Sequence, residues 1–264
     1  MTFIKPTVLC FSGLDPTGGA GLQADIETLV SIGCHCSPVA TALTAQNTHN
    51  AISMQTIDTA FLMLQAHAIM DDITVQCFKV GLLGNVEIVE VLQKILQDYP
   101  DIPVVLDPIA CAGGGFKFGG DEVLEAIRSL LIPLTTVLTP NTDEIRKLAP
   151  SSDSLEAGAY ELLEQGCEHV LLTGTHAKNG QVKNKWFSSS QDVTIFNWER
   201  LQEVYHGSGC TLSAAIAGYL AHKLDMHDAI QQAQRFTWEA LKNGFRIGYG
   251  QHIPNRSYRN KQTS

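Results

Sequence analysis

A basic surplus is the first thing this chain lacks. Its 264 residues carry 18 Lys and Arg against 27 Asp and Glu, a net charge of −9. Nucleic-acid binders show the opposite balance, so no nucleic-acid partner is expected. Any phosphate site must then rely on backbone amides, helix ends and metal ions rather than a lysine cluster. No apolar run approaches the ~20 residues that cross a bilayer, so no membrane partner is expected. The first residues lack the basic-then-apolar order of a secretory signal. Seven cysteines, at 10, 34, 36, 77, 111, 167 and 210, include no Cys-x-x-Cys and show no pairing framework. Reduced thiols in a cytoplasmic protein are the expectation. Repeats, low-complexity tracts and linkers are also missing. The chain therefore reads as a single domain, 1–264, whose polar tail after Pro254 is expected to fray.

What is present is alternation. Short apolar runs at Thr7–Ser12, Pro38–Ala45, Cys77–Leu83, Val104–Leu106, Thr136–Leu138 and His169–Thr173 read as strands. Between them Gly21–Ile32, Thr59–Met70, Val86–Leu96, Asp121–Leu131, Asp143–Leu148 and Leu155–Gln165 show helical spacing. Lys183–Trp198 reads as a hairpin, and a last helix runs through Ala229, Ala233, Phe236 and Leu241. Continuous apolar strands alternating with helices predict an α/β fold, a mostly parallel sheet covered on both faces.

The sequence is organised around His206-Gly-Ser-Gly-Cys210-Thr-Leu-Ser-Ala-Ala215. A Gly-rich turn opening a helix leaves backbone N–H groups unpartnered, and the helix dipole adds positive potential there. That is an anion site. Cys210, at the helix start, is where a thiolate is expected to be stabilised, giving a candidate base or nucleophile. Polar or Gly-rich residues close strand after strand: Asp15 with Gly18 and Gly19, Gln46, Gly81, Asp107, Asn141 with Glu144, and Gly174. In a parallel sheet these ends line one edge, where open α/β sheets bind ligands.

Two familiar motifs fail. Gly13-x-x-x-x-Gly18 continues with Gly-Ala where a P-loop needs Lys-Ser/Thr. Gly19-x-Gly21-x-x-Ala24 fits a loose dinucleotide fingerprint, yet Pro38–Gln46 contains no acidic residue for a ribose. A cysteine hydrolase using His206 and Cys210 stays open, although the glycine turn separates the pair.

Cys10-Phe-Ser-Gly-Leu-Asp15-Pro-Thr-Gly-Gly-Ala-Gly-Leu-Gln-Ala-Asp25, Thr41-Ala-Leu-Thr-Ala-Gln46-Asn-Thr, Val105-Leu-Asp107-Pro, Leu138-Thr-Pro-Asn141-x-x-Glu144 and the His206–Ala215 block occur in one order. Together they resemble the hydroxymethylpyrimidine and phosphomethylpyrimidine kinases of the ribokinase-like superfamily. The resemblance covers roughly residues 6 to 250. It implies a three-layer α/β/α sandwich and ATP- and Mg²⁺-dependent phosphorylation of 4-amino-5-hydroxymethyl-2-methylpyrimidine and its monophosphate. It also suggests a homodimer. Cys210 is implied as the base, with amides of Gly207, Ser208, Gly209 and Cys210 stabilising the moving phosphoryl group. Gln46 is implied as the pyrimidine reader, whose carboxamide suits an amino group beside a ring nitrogen. Gly13, Asp15, Ala20 and Asp25 complete the substrate loop, with support of the first helix as the other reading of Asp25. Asp107 and Glu144 are implied near the magnesium. Asn141, Thr173 and Gly209 are implied at the nucleotide, Asn141 equally as a helix cap. Thr173 is a departure, because many members have a lysine there. A pyridoxal kinase and a catalytically weak pyrimidine-binding protein are the alternative readings.

Overall fold

The computed structural model describes residues 5–109, 111, 114–174 and 180–259. In chain order the elements are β1 (Thr7–Leu14), α1 (Gly21–Ser31), β2 (His35–Gln46), β3 (Ala51–Thr56), α2 (Thr59–Met70), β4 (Cys77–Val80), α3 (Val86–Asp98), β5 (Val104–Leu106), α4 (Asp121–Ala126), β6 (Val137–Leu138), α5 (Thr142–Leu148), α6 (Leu155–Glu164), β7 (His169–Leu172), β8 (Gln181–Ser188), β9 (Gln191–Glu199), α7 (Ser208–Ala221) and α8 (Met226–Lys242). A π turn at Ile127–Leu131 extends α4.

The nine strands form one sheet in the order β3-β2-β1-β4-β5-β6-β7-β8-β9. The six from β2 to β7 in that order are mutually parallel. The outer strands β3, β8 and β9 are antiparallel to their neighbours. Period-two alternation splits each central strand between two cores. Leu9, Phe11, Phe78, Val80, Leu106 and Leu138 face a cluster with residues of α2–α6. Val8, Cys10, Cys77, Val105 and Val137 face a second one built with α1, α7 and α8. Such two-sided covering is why the strands read as unbroken apolar runs.

Helix α7 is buried on nearly every side, from Cys210 to Ala221. Its small residues let it lie against its neighbours: a Cβ on Gly218 would come within 2.2 Å of the Ile32 side chain. Burial this complete fixes the start of α7 against the sheet, and the start is where the anion site was expected.

Two expectations need correction. Strand β3 was not foreseen, because Ala51–Thr56 has a largely exposed side-chain pattern and pairs only at the sheet edge. The chain after Pro254 does not fray at once. Arg256 is 1% exposed, since its guanidinium finds Thr211 Oγ1 at 2.9 Å, Glu27 Oε2 at 3.1 Å and the Gly19 carbonyl. Charge and length, usually marks of a loose tail, here serve to anchor one.

Candidate active site

The carboxyl ends of the six parallel strands lie along one edge of the sheet, where the start of α7 meets Asp107 after β5 and Gly19 after β1. The turn before α7 is set by Gly207, which sits in the left-handed region at φ +83°. A Cβ there would fall 1.9 Å from the Gly19 carbonyl oxygen, so only glycine brings the two loops this close. Ser208 and Gly209 follow in the first turn, where amides have no intrahelical partner. Gly207 and Ser208 are half-buried and Gly209 is exposed, so the expected anion cradle is open to the cleft.

Cys210 stands one residue further, 6% exposed. Its environment differs from the expected one. Burial pushes the thiol up to about 12, Lys79 opposes this, and Asp107 and Asp25 add to it. Desolvation and the two carboxylates outweigh Lys79 and the backbone hydrogen bond with Gly21, so the thiol holds its proton at neutral pH. Its side-chain partner is Asp107, not His206. The His206 imidazole turns instead to Asp15, with Nε2 at 2.8 Å from Oδ2. That arrangement removes the cysteine–histidine dyad a hydrolase needs.

Asp107 closes β5. Burial raises it to about 6 against the pull of Lys79; Asp25 raises it further, and hydrogen bonds from Ser213 and Cys210 lower it. Ser213 Oγ donates to Oδ2 at 3.3 Å. A Cβ on Gly209 would lie 3.6 Å from the same carboxylate, which places the first turn of α7 directly over Asp107.

Lys79 was not anticipated as a site residue. It lies mid-strand in β4, fully buried, with Nζ 2.9 Å from Asp25 Oδ1 and 3.0 Å from Oδ2. Burial alone would lower its pKa, but the charge of Asp25 and, less, that of Asp107 raise it, so the ammonium stays charged. The carboxylate of Asp25 thereby joins α1 to β4 beneath the site. The signal was a lysine inside the apolar run Cys77–Leu83. In a sheet covered on both faces, such a charge must find a buried partner.

The loop after β1 is held from within. Asp15 Oδ1 accepts from Thr17 N at 2.8 Å, and Oδ2 accepts from Ala20 N at 2.9 Å, Thr17 Oγ1 at 2.9 Å and His206. Asp15 is therefore a brace, and the Ala20 amide is already used. Burial acts upward on Asp15, but the hydrogen bonds from His206 and Thr17 outweigh it and bring the pKa to about 2. A depressed carboxylate pKa stabilises the fold above the unfolded value near 4, and that contribution is lost as pH falls toward 2. Asp15→Asn should thus cost about 1–2 kcal/mol at pH 7. The difference from the parent should shrink below pH 4, as read in urea midpoints across pH. Gly13 is buried against Leu82 at the β1 irregularity, and Gln46 stands half-buried at the end of β2.

At the far side, Asn141 is a helix cap. Its Oδ1 accepts from Asp143 N and Glu144 N at 2.8 and 2.9 Å, and Glu144 Oε2 returns to Asn141 N at 2.9 Å. This closed box takes up much of the side chain that the phosphate reading would use. Thr173 bridges Asn141, and both its N–H and its hydroxyl point to the Pro140 carbonyl, at 2.9 and 3.3 Å. It supplies no charge in place of the usual lysine. Residues 175–179 lie outside the described residues, as do Ala112 and Gly113 of the Ala112–Gly115 stretch, whose glycines lead one to expect a flexible segment. Magnesium takes hard oxygen ligands and keeps water, so one or two carboxylates suffice. Asp107 fits, since its buried carboxylate would be relieved by a cation. Glu144 is 9% exposed and offers a carboxylate on the same side, its Oε2 being engaged in the box.

The sheet order, the braced first loop and the glycine-capped α7 define a ribokinase-like kinase fold. The match to solved structures is close. A Bacillus subtilis pyridoxal kinase, solved as an ADP complex, superposes with a TM-score of 0.89 at 27% identity, covering 97% of this chain and 99% of that one. A Clostridium difficile phosphomethylpyrimidine kinase gives 0.78 at 28% identity, covering 90% and 100%. Sequence narrows the class. Residues 15–255 match the phosphomethylpyrimidine kinase family model, and the chain belongs to that family. The hydroxymethylpyrimidine/phosphomethylpyrimidine kinase of Escherichia coli K12 is 34% identical over 251 residues, 92% of this chain and 94% of that protein. Its Streptomyces coelicolor counterpart is 32% identical over 253 residues, 93% and 92%. The chain also matches a Geobacter sulfurreducens bifunctional thiamine biosynthesis protein at 32% identity, spanning 51% of its length. Among the described residues, no helix is long and apolar enough to cross a membrane.

Proposed function

We propose that this chain transfers the γ-phosphoryl group of ATP to 4-amino-5-hydroxymethyl-2-methylpyrimidine and to its monophosphate, on the route to thiamine diphosphate. The observation that carries this is the pairing, in one cleft, of an amide-lined helix start at Gly207–Cys210 with a carboxamide at Gln46. Gln46 is linked to the helix-side residue His206 at 3.2 Å. One end suits a phosphoryl group and the other suits an aminopyrimidine edge.

Phosphoryl transfer demands positioning and charge stabilisation more than covalent chemistry. Amides of Gly207, Ser208 and Gly209 meet the charge on the transferring group, fixed in place by the burial of α7. Gly209 thereby serves the nucleotide as well. Cys210 is the group that receives the hydroxyl proton. Its resting protonation means that the base function depends on a change in charge around it when the site fills. Magnesium would be held by Asp107 and Glu144, where it would neutralise phosphate charge and one of the carboxylates that raise the thiol. Asn141 and Thr173 shape the nucleotide side without adding charge. A second copy of the chain is the partner this reading implies, supported by Leu14, Leu43 and Ile52, which are exposed along the β1–β3 edge. Its location would be the cytoplasm, where ATP is supplied.

The test is ADP release by the purified chain with the aminopyrimidine and with pyridoxal as rival acceptors. Turnover at least ~10-fold more efficient on the aminopyrimidine is expected, the scale of one bidentate polar contact. Preference for pyridoxal, or binding without turnover, would replace this reading with one of its two rivals.

A further inference from the structure

Arg256 belongs to a polar tail, yet its side chain ends between the loop after β1 and the turn that opens α7. The backbone is pinned first. Asn255 N donates to the Ala240 carbonyl of α8 at 2.8 Å, and Ser31 Oγ of α1 donates to the Arg256 carbonyl. The side chain then runs inward to 1% exposure. A guanidinium is a rigid fork of N–H donors with no acceptor, so burial requires acceptors around it. Nη1 donates to the Gly18 carbonyl at 3.4 Å and to Glu27 Oε2 at 3.1 Å. Nη2 donates to the Gly19 carbonyl, and Nε donates to Thr211 Oγ1 at 2.9 Å. The Thr211 hydroxyl in turn donates to the Gly207 carbonyl at 2.8 Å. One side chain thus joins the Gly18–Gly19 corner to the first turn of α7.

The parts it joins are each held by other means. Burial on nearly every side fixes α7, and Asp15 fixes the shape of the loop from within. At its start the loop is tied to β2, since the Leu14 carbonyl accepts from Thr44 Oγ1 at 2.9 Å, two residues before Gln46. Asp15 ties the loop to His206, ahead of the turn, and Arg256 ties it to the helix itself. The junction has no slack. A Cβ on Gly207 would fall 1.9 Å from the Gly19 carbonyl oxygen and 2.9 Å from Arg256 Nη2. Transfer between two bound groups depends steeply on their separation, and a misplacement of about 1 Å costs ~10²-fold.

We propose that Arg256 is a positioning residue for phosphoryl transfer: its guanidinium sets the spacing between the loop after β1, with the Gln46 end of β2, and the phosphoryl cradle at the start of α7. This rests on the proposed function and adds what holds its two halves in register. The test measures two rates in each full-length preparation: phosphorylation of 4-amino-5-hydroxymethyl-2-methylpyrimidine, and ATP hydrolysis without an acceptor. The ratio of the two does not depend on how much of the chain is folded, so a merely structural role leaves it unchanged. Arg256→Met keeps an apolar stem and no donor, and its ratio should fall ~10–100-fold. Arg256→Lys keeps the charge without the fork, and its ratio should fall at least ~3-fold. Thr211→Val keeps the side-chain shape without the hydroxyl, and a fall of at least ~3-fold is expected there too. Glu27→Gln changes the half-exposed partner of the guanidinium and should stay within ~2-fold. An unchanged ratio in Arg256→Met, or an equal fall in Glu27→Gln, would overturn the proposal. Should Arg256→Met not fold, Arg256→Lys and Thr211→Val decide: a fall in either supports it, and no change in both overturns it. Wild-type phosphorylation of the pyrimidine with unchanged variant ratios contradicts this inference alone. Absence of wild-type phosphorylation contradicts the proposed function as well.

Discussion

Cys210→Ala should lower kcat by ~10²–10⁴-fold while leaving pyrimidine affinity within ~3-fold, the range for loss of a general base. The thiol sits at the first turn of α7 beside the amides of the anion cradle, and it touches Asp107 rather than the Gln46 end of the cleft. Removing it therefore takes away a proton acceptor without disturbing the ring-binding groups. The resting thiol, pushed up to about 12 by burial with Asp107 and Asp25 adding to it, gives a second expectation. Free enzyme should react slowly with thiol alkylators near neutral pH, because the thiolate is the nucleophile. Full turnover in Cys210→Ala would remove the base role and shift attention to Asp107. Rapid alkylation of Cys210 in the free enzyme would mean that its thiol is not closed in as described.

Lys79→Met should destabilise the protein by about 3–5 kcal/mol, the cost of leaving one member of a buried ion pair alone. Asp25 is 0% exposed and both its oxygens lie within 3.0 Å of the lysine nitrogen. Without that cation, Asp25 and Asp107 share one low-dielectric region, with Arg256 as the remaining positive charge acting on Asp25. Activity should fall together with stability. The double variant Lys79→Met/Asp25→Asn should recover much of the stability, since replacing a buried pair costs less than breaking one. Urea midpoints of the three variants measure this. A loss below about 1 kcal/mol for Lys79→Met alone would mean that the pair is not charged in the folded state.

The fold was legible because its strands are apolar without interruption and its helices carry a regular stripe, and both patterns follow from a sheet covered on two faces. The edge that carries the candidate site was legible because polar residues cluster where parallel strands end. What escaped reading depends on partners far apart in the chain. Lys79 was lost inside an apolar run, because its partner Asp25 lies on another element across the sheet. Arg256 sat in a polar tail, and nothing local shows that Gly19 and Thr211 would receive it. Asp15 and Asp25 carried the right chemistry for a substrate loop, yet their carboxylates face inward, one bracing the loop and one pairing with Lys79. Cys210 stands at a helix start, where a thiolate is favoured, but burial first, and then the carboxylates of Asp107 after β5 and Asp25 on α1, push its thiol up. Residue type and local pattern locate such groups. Their charge states depend on the tertiary neighbourhood.

The central claim is that one cleft reads an aminopyrimidine at Gln46 and stabilises the transferring phosphoryl group at the start of α7. A crystal structure of the chain with 4-amino-5-hydroxymethyl-2-methylpyrimidine and a non-hydrolysable ATP analogue tests it directly. The account predicts the ring's amino edge on the Gln46 carboxamide, the hydroxymethyl oxygen within hydrogen-bond reach of Cys210 Sγ, and the γ-phosphate on the amides of Gly207 to Cys210. A ring bound away from Gln46, or a γ-phosphate held away from those amides, would contradict it.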